Sequence, residues 1–254
     1  MQRSFTHAPF VPHVFVPLLL LACAGSSPPA ASPESAVGSA AGAPTPPPTT
    51  PNAINAGAIL KVPLIDDLED GNHQTAPDER RGGYWYTYAD ETSTVEPSGT
   101  FVPTAGGAEG SAFAARMHEK KKKKQYPYAG LGFNLTDPKD PYDLSSCEGL
   151  SFRAKKGSPE AISSVRMKVG DVYTVPEGGV CKSCYNDFGV DFTLTPEWVL
   201  HEVKFADMRQ EPYWGEPRPK LEVGRIYQVQ FMVKDPSAPY DVWIDDMRLI
   251  GCKG

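Results

Sequence analysis

From residue 58 onward, apolar residues alternate with polar ones or run in short stretches broken by Gly, Pro, Asp and Asn. A period of two with turn residues at each break predicts β-strands. Ten segments carry it: residues 59–68, 83–88, 112–117, 128–135, 150–154, 163–169, 190–194, 199–205, 226–233 and 242–250. No window sustains the i, i+3, i+4 apolar stripe of an amphipathic helix, so only short helical turns are expected, near 205–208 and 220–223. Ten short strands with little helix predict an all-β fold, a two-sheet antiparallel β-sandwich of the jelly-roll kind over residues 58–254. The strands also show their faces. Val199, His201, Val203 and Phe205 oppose Trp198, Leu200, Glu202 and Lys204, while Val229, Phe231 and Val233 oppose Gln228, Gln230 and Met232. Both are expected to be half-buried strands with one wet face. His201 reads as a packed strand residue rather than a ligand.

The first 57 residues break this pattern. Arg3 precedes a short apolar run from Val14 to Leu21, interrupted by Pro17 and followed by Ala22 and Cys23. The run is too short for a bilayer-spanning helix and reads as an export address. Its end resembles the bacterial lipobox, in which the signal is cut before a cysteine that then carries the lipid. Residues 1–22 are therefore expected to be a lipoprotein signal peptide and Cys23 the lipidation site. Residues 23–57, rich in Pro, Ala, Ser and Thr, have no apolar face to bury, and are expected to form a disordered, semi-rigid stalk. The expected location is the cell envelope, lipid-anchored, and the absence of Asp at position 24 favours the outer membrane under the sorting rule of Gram-negative bacteria.

Charge and cysteines narrow the classes further. A net charge of -6 argues against nucleic acid as a partner, since phosphates demand a basic face. Apart from Cys23, the cysteines are Cys147, Cys181, Cys184 and Cys252, an even number in an exported domain, which reads as two disulfides. Three pairings are open; Cys181 with Cys184 and Cys147 with Cys252 is the favoured one. The C-x-x-C spacing lacks the following His of a haem attachment site, having Tyr185 instead, and no helix pattern follows to support redox work. A four-cysteine zinc site would more usually bring a second C-x-x-C. Catalytic triads are nearly excluded by inventory: only His73, His118 and His201 lie beyond the signal, and no G-x-S-x-G, H-E-x-x-H or phosphate-cradling loop occurs. No enzyme is expected.

Aromatic residues are the main resource for binding. In residues 84–88, alternation puts Tyr84, Tyr86 and Tyr88 on one face and Trp85 on the other. If Trp85 faces the core, the tyrosines form an exposed stripe on which sugar rings can pack; the alternative buries the tyrosines. Tyr126, Tyr128, Tyr173, Tyr185, Tyr213 and Trp214 lie in polar, loop-like settings and are further candidates for ligand contact, whereas Trp198 and Trp243 read as packing. The five lysines at 120–124 read as a solvated loop, with acidic polysaccharide, lipid head groups or a protein as the functional alternatives.

Three segments, in this order, carry a family resemblance: I-D-D-L-E-D-G-N at 65–72 leading to G-Y-W-Y at 83–86; Y-D-L-S-S-C-E-G-L-S-F-R-A-K at 142–155; and F-T-L-T-P-E-W at 192–198, continuing to F-A-D-M at 205–208 and V-W-I-D-D-M at 242–247. Together they resemble the galactose-binding-like jelly rolls typified by carbohydrate-binding module family 11, a pattern shared by the complex I intermediate-associated domain and by domains on myxobacterial lipoproteins. The resemblance implies a concave face for glycan chains and often a structural calcium. It also implies that the chain ends lie side by side, so that Asp66, Asp67, Glu69, Asp70, Asp245 and Asp246 converge as metal ligands for calcium, which takes six to eight oxygens; a carboxylate network with Arg and backbone N–H groups is the alternative. The chain departs from the family pattern at 117–125 and in its C-x-x-C loop. The function expected is a non-catalytic carbohydrate-binding module on a membrane-anchored stalk, with polysaccharide or glycan as partner. A structural or protein-interaction lipoprotein is the second reading and a glycoside hydrolase, which needs a working carboxylate pair, the third.

Overall fold

The computed structural model describes residues 64–78, 80–91, 93–119, 128–234 and 239–253. Cys23, the signal and stalk at 1–57, the lysines at 120–124 and Tyr126 lie outside the described residues. Eleven strands occur among them: β1 (Leu64–Asp66), β2 (Trp85–Ala89), β3 (Thr104–Ala105), β4 (Phe113–His118), β5 (Ala129–Asn134), β6 (Gly149–Lys156), β7 (Ser164–Asp171), β8 (Phe188–Thr193), β9 (Val199–Lys204), β10 (Ile226–Val233) and β11 (Asp241–Ile250). Single 3-10 turns at Pro176–Gly178, Phe205–Asp207 and Val223–Arg225 are the helical elements described. Every strand pairing is antiparallel. One sheet runs β3-β4-β11-β6-β9, with β1 also on β11, and the other runs β2-β5-β10-β7-β8.

All ten strands expected from the alternation are present. The two-residue β3 is the addition, since Thr104 and Ala105 have no apolar pattern and are extended only by pairing with β4. The first segment is shorter than expected, with Leu64–Asp66 as the strand within the described residues. Alternate residues of each sheet meet in one core. Leu131, Phe133, Met167, Val169, Val229 and Phe231 from one sheet share it with Ala115, Met117, Leu150, Phe152, Val242 and Ile244 from the other. Phe152 and Phe231 touch edge to face across the layers, ring centroids 5.0 Å apart. Two facing expectations are corrected. β9, an edge strand, keeps one wet face, with Leu200, Glu202 and Lys204 exposed and Val203 buried, and departs at its first residue, Val199, which is exposed on the other face. β10 is buried at all eight positions, and its Gln228, Gln230 and Met232 face lies at the bottom of a groove instead of on an open wet surface.

Both favoured disulfides are formed. Cys147–Cys252 joins the approach to β6 to the chain's end across 105 residues, and Cys181–Cys184 closes a tight loop between β7 and β8.

The acidic residues at the two ends serve the backbone. Asp66 is 1% exposed and accepts hydrogen bonds from the Leu68 N–H (3.0 Å) and the Trp85 indole Nε1–H (2.6 Å). Asp245, fully buried, accepts from the Ala108 and Asp246 N–H groups, each at 2.7 Å. Glu69 takes the N–H groups of Ala112 and Phe113, Asp67 and Asp70 close their own turn through Glu69 and Asn72, and Asp246 pairs with Arg248 and Arg153. Among the described residues no three carboxylates gather as a metal-ligand group. The oxygens of these carboxylates are met by N–H donors and guanidinium groups, the arrangement of a carboxylate network.

Burial raises the Asp66 carboxyl to about 7 and the Asp245 carboxyl to about 6. A carboxyl that titrates higher folded than unfolded contributes stability below its unfolded pKa of about 4 and loses it as pH rises through the folded value. The urea midpoint is therefore expected to fall between pH 5 and pH 8, and Asp66→Asn is expected to flatten that fall. Asp66→Ala leaves the buried Trp85 N–H without its partner and is expected to cost about 1–3 kcal/mol in urea denaturation. Thermal unfolding is expected to give the same midpoint in millimolar calcium as in excess chelator.

Candidate functional site: the groove on the five-stranded sheet

The outer face of the five-stranded sheet is made by the residues that alternate with its core side chains. On β2, Trp85 is in the core, 1% exposed and packed on Phe101 and Phe133. Alternation then turns Tyr86 and Tyr88 outward, which decides between the two readings left open by the sequence. Tyr84, Tyr86, Tyr88 and Tyr128 form a continuous row, with successive ring centroids 6.3, 6.2 and 6.3 Å apart.

Next to β2, the sequence A-G-L-G-F-N of β5 puts Leu131 and Phe133 in the core and Gly130, Gly132 and Asn134 on the outer face. The glycines are there for space. A Cβ on Gly130 would stand 2.4 Å from the Tyr88 ring, and one on Gly132 2.9 Å from the Gln230 Cγ. Tyr88 and Gln230 can therefore lie across β5 only because β5 has no side chain beneath them.

The floor is polar and connected. Gln230 Nε2 donates to Tyr86 Oη (3.0 Å), and Tyr86 Oη donates to Gln228 Oε1 (3.2 Å). Lys139 Nζ donates to the same Gln228 oxygen (2.7 Å) and pairs with Glu177 (2.8 Å). Lys168 donates to the Tyr185 carbonyl (2.9 Å) and pairs with the buried Asp187 (3.3 Å), while Lys234 pairs with Asp191 and Glu211. Trp214 stands on the wall with its indole N–H on Glu211 (3.3 Å), and the Cys181–Cys184 loop contributes Cys184 and Tyr185. The groove has a volume of about 930 Å³.

Three properties follow for a ligand. Each lysine on the wall is matched by a carboxylate, so the groove presents no strong net field. Tyr88 Oη, Asn134 Oδ1 and Gln228 Nε2 are buried and lack protein hydrogen-bond partners, which leaves both donor and acceptor capacity on the floor. Burial holds the Tyr86 and Tyr88 phenols well above their ordinary range, so both stay neutral hydroxyls. For the two glutamates, burial opposes ionisation, but the hydrogen bond and charge of Lys139 hold Glu177 below the usual range, and those of Lys234 do so for Glu211. A surface of neighbouring aromatic rings and neutral hydrogen-bonding groups is suited to polyhydroxylated molecules.

Of the residues singled out from sequence, Tyr84, Tyr86, Tyr88, Tyr128, Tyr185 and Trp214 line this groove. Tyr173 does not. It packs with Val172, Val175 and Tyr227, and the Arg218 guanidinium lies 4.8 Å from its ring centroid. Tyr213 is fully exposed beside an adjoining cavity. Sequence reasoning passed over Gln228, Gln230, Asn134, Lys139, Lys168 and Lys234. The available signal was the Gly-x-Gly-x-Asn alternation of β5, since small outward residues next to an outward tyrosine row mark a concavity.

No family model matches the chain, and no curated protein does. Solved structures do. The family 11 carbohydrate-binding module of the cellulosomal cellulase Lic26A-Cel5E of Clostridium thermocellum is 16% identical, with a TM-score of 0.51 over 74% of this chain and 94% of that one. The family 11 module from Clostridium thermocellum solved in complex with a β-1,3-1,4-mixed-linked tetrasaccharide is 15% identical, with a TM-score of 0.50 over 72% and 96%. A family 30 carbohydrate-binding module is 15% identical, with a TM-score of 0.51 over 71% and 88%. At these identities the likeness establishes the fold: the domain is a jelly-roll β-sandwich of the kind found in carbohydrate-binding modules.

Proposed function

We propose that the groove binds a β-glucan chain without cleaving it, and that the domain is displayed from the cell envelope on a stalk lipidated at Cys23. The tyrosine row carries the reading. Four rings at regular spacing offer successive stacking faces to consecutive sugars, while the amides of Gln228, Gln230 and Asn134 meet hydroxyl groups along the chain. The near-neutral wall favours an uncharged polymer, because an anionic one would have to break the matched ion pairs to gain a cation. The mixed-linked tetrasaccharide bound by a module of the same fold supports a β-glucan as the class. Hydrolysis needs a carboxyl kept protonated as general acid beside a second carboxylate. Glu177 and Glu211, the carboxylates of the groove wall, are ion-paired and held ionised, which supports binding without chemistry.

Affinity electrophoresis of the full-length chain in gels containing mixed-linked β-glucan is expected to show retardation, with no release of reducing sugar. Tyr86→Ala and Trp214→Ala are each expected to weaken binding about tenfold. Unretarded migration through every neutral β-glucan tested would overturn the reading. For the anchor, Cys23→Ser is expected to move the protein from membrane to soluble fractions or leave its signal uncleaved; unchanged partitioning with normal processing would remove lipidation from the proposal.

A further inference from the structure

Residues 209–219 form a loop that borders two cavities. Trp214 and Glu211 line both the groove and a second cavity of about 420 Å³. The second cavity is otherwise lined by residues such as Tyr213, Pro212, Arg209 and Arg218.

The loop is held firmly from below. Asn186, which is buried, accepts from the Glu211 N–H (3.0 Å) and donates through Nδ2 to the carbonyls of Glu211 (2.9 Å) and Trp214 (2.6 Å). Gln210 ties the loop's two limbs together, donating to the Asn186 and Glu216 carbonyls and accepting from the Arg218 N–H (2.7 Å). Gly215 sits so close that a Cβ there would stand 2.6 Å from the Asn186 Cβ.

At the crest of this pinned loop the backbone of Tyr213 is left-handed, with φ of 76°, and its side chain is 103% exposed. Folding does not explain a tyrosine there. A bulky L-residue is disfavoured in that conformation, glycine would adopt it freely, and a fully exposed ring contributes no burial. An outward aromatic on a rigid loop, lining a cavity that shares Trp214 and Glu211 with the groove, is arranged for contact with a ligand.

We infer that Tyr213 and the second cavity form an additional sugar subsite, so that a chain lying in the groove continues over Trp214 and stacks on Tyr213. This rests on the glycan reading of the groove and adds to it a dependence on chain length: a chain long enough to reach Tyr213 binds more tightly than one that fills the groove alone. Trp214 is shared by both parts, whereas Tyr213 serves only the extension.

Isothermal titration of the full-length chain with a mixed-linked β-1,3-1,4 tetrasaccharide and with a longer oligosaccharide of the same linkage separates the two claims. The wild type is expected to bind the longer ligand at least fivefold more tightly, a gain of the size that one aromatic contact supplies. In Tyr213→Gly the ratio of the two dissociation constants is expected to fall to about one. Its thermal midpoint is expected to be at or above that of the wild type, because glycine takes the left-handed backbone without strain; this shows that the loop has not collapsed. A preserved length dependence in Tyr213→Gly would overturn the extension while leaving the groove intact. Failure of the wild type to bind either ligand would overturn both.

Discussion

The hydrogen bond from the Trp85 indole to the buried Asp66 carboxylate ties β2 to β1 at one depth in the core. Because side chains alternate along a strand, the inward position of Trp85 also determines the outward position of Tyr86 and Tyr88. A slip of one residue would bury the tyrosines and expose the tryptophan, and the groove would lose its floor. The bond is buried, and its acceptor is also held by the Leu68 N–H. Neither partner can exchange for water without leaving an unsatisfied group behind. The stability of the sandwich and the orientation of the groove face thus depend on the same contact.

Once β2 is oriented, the shape of the groove is set by what its neighbours omit. Gly130 and Gly132 leave β5 bare where the Tyr88 ring and the Gln230 side chain cross it. The walls are charged but balanced, with Lys139 on Glu177, Lys168 on Asp187 and Lys234 on Glu211. These pairs position the long side chains around the floor amides without creating a field that would attract polyanions. In the function proposed, recognition comes from contact with the rings and with the polar atoms left unpaired on the floor. Both are properties suited to a neutral, hydroxyl-rich chain.

The loop at 209–219 uses a different economy. Its backbone is over-determined by Asn186 and Gln210, and that rigidity holds Tyr213 in a conformation the residue would not choose. Strain of this kind persists where the surrounding structure enforces it, and it concentrates at binding and catalytic positions. The Cys181–Cys184 bridge lies close by in the fold, with the Lys182 N–H donating to Glu216 of the same loop at 2.9 Å. The departure of this chain from the family pattern at its C-x-x-C is thus connected to the rim of the groove.

By itself the sequence determined the ten strands, the sandwich class, the cysteine count that two bridges consume, and the opposition of Trp85 to the tyrosines at 84, 86 and 88. These are local properties: a period of two, turn residues at breaks and residue chemistry are visible within a few positions. Which face of β2 was core needed the tertiary structure, because both alternatives satisfy the same alternation. The acidic ends show the same limit. The family resemblance implied that six carboxylates converge, but only the fold showed that Asp66, Glu69 and Asp245 spend their oxygens on the N–H groups of Leu68, Ala112 and Ala108. Tyr173 and Trp214 looked alike as loop aromatics. The fold put one under Arg218 and the other on the groove wall. A binding site is assembled from residues far apart in the chain, and its geometry depends on sheet order and loop packing, neither of which leaves a periodic trace in the sequence.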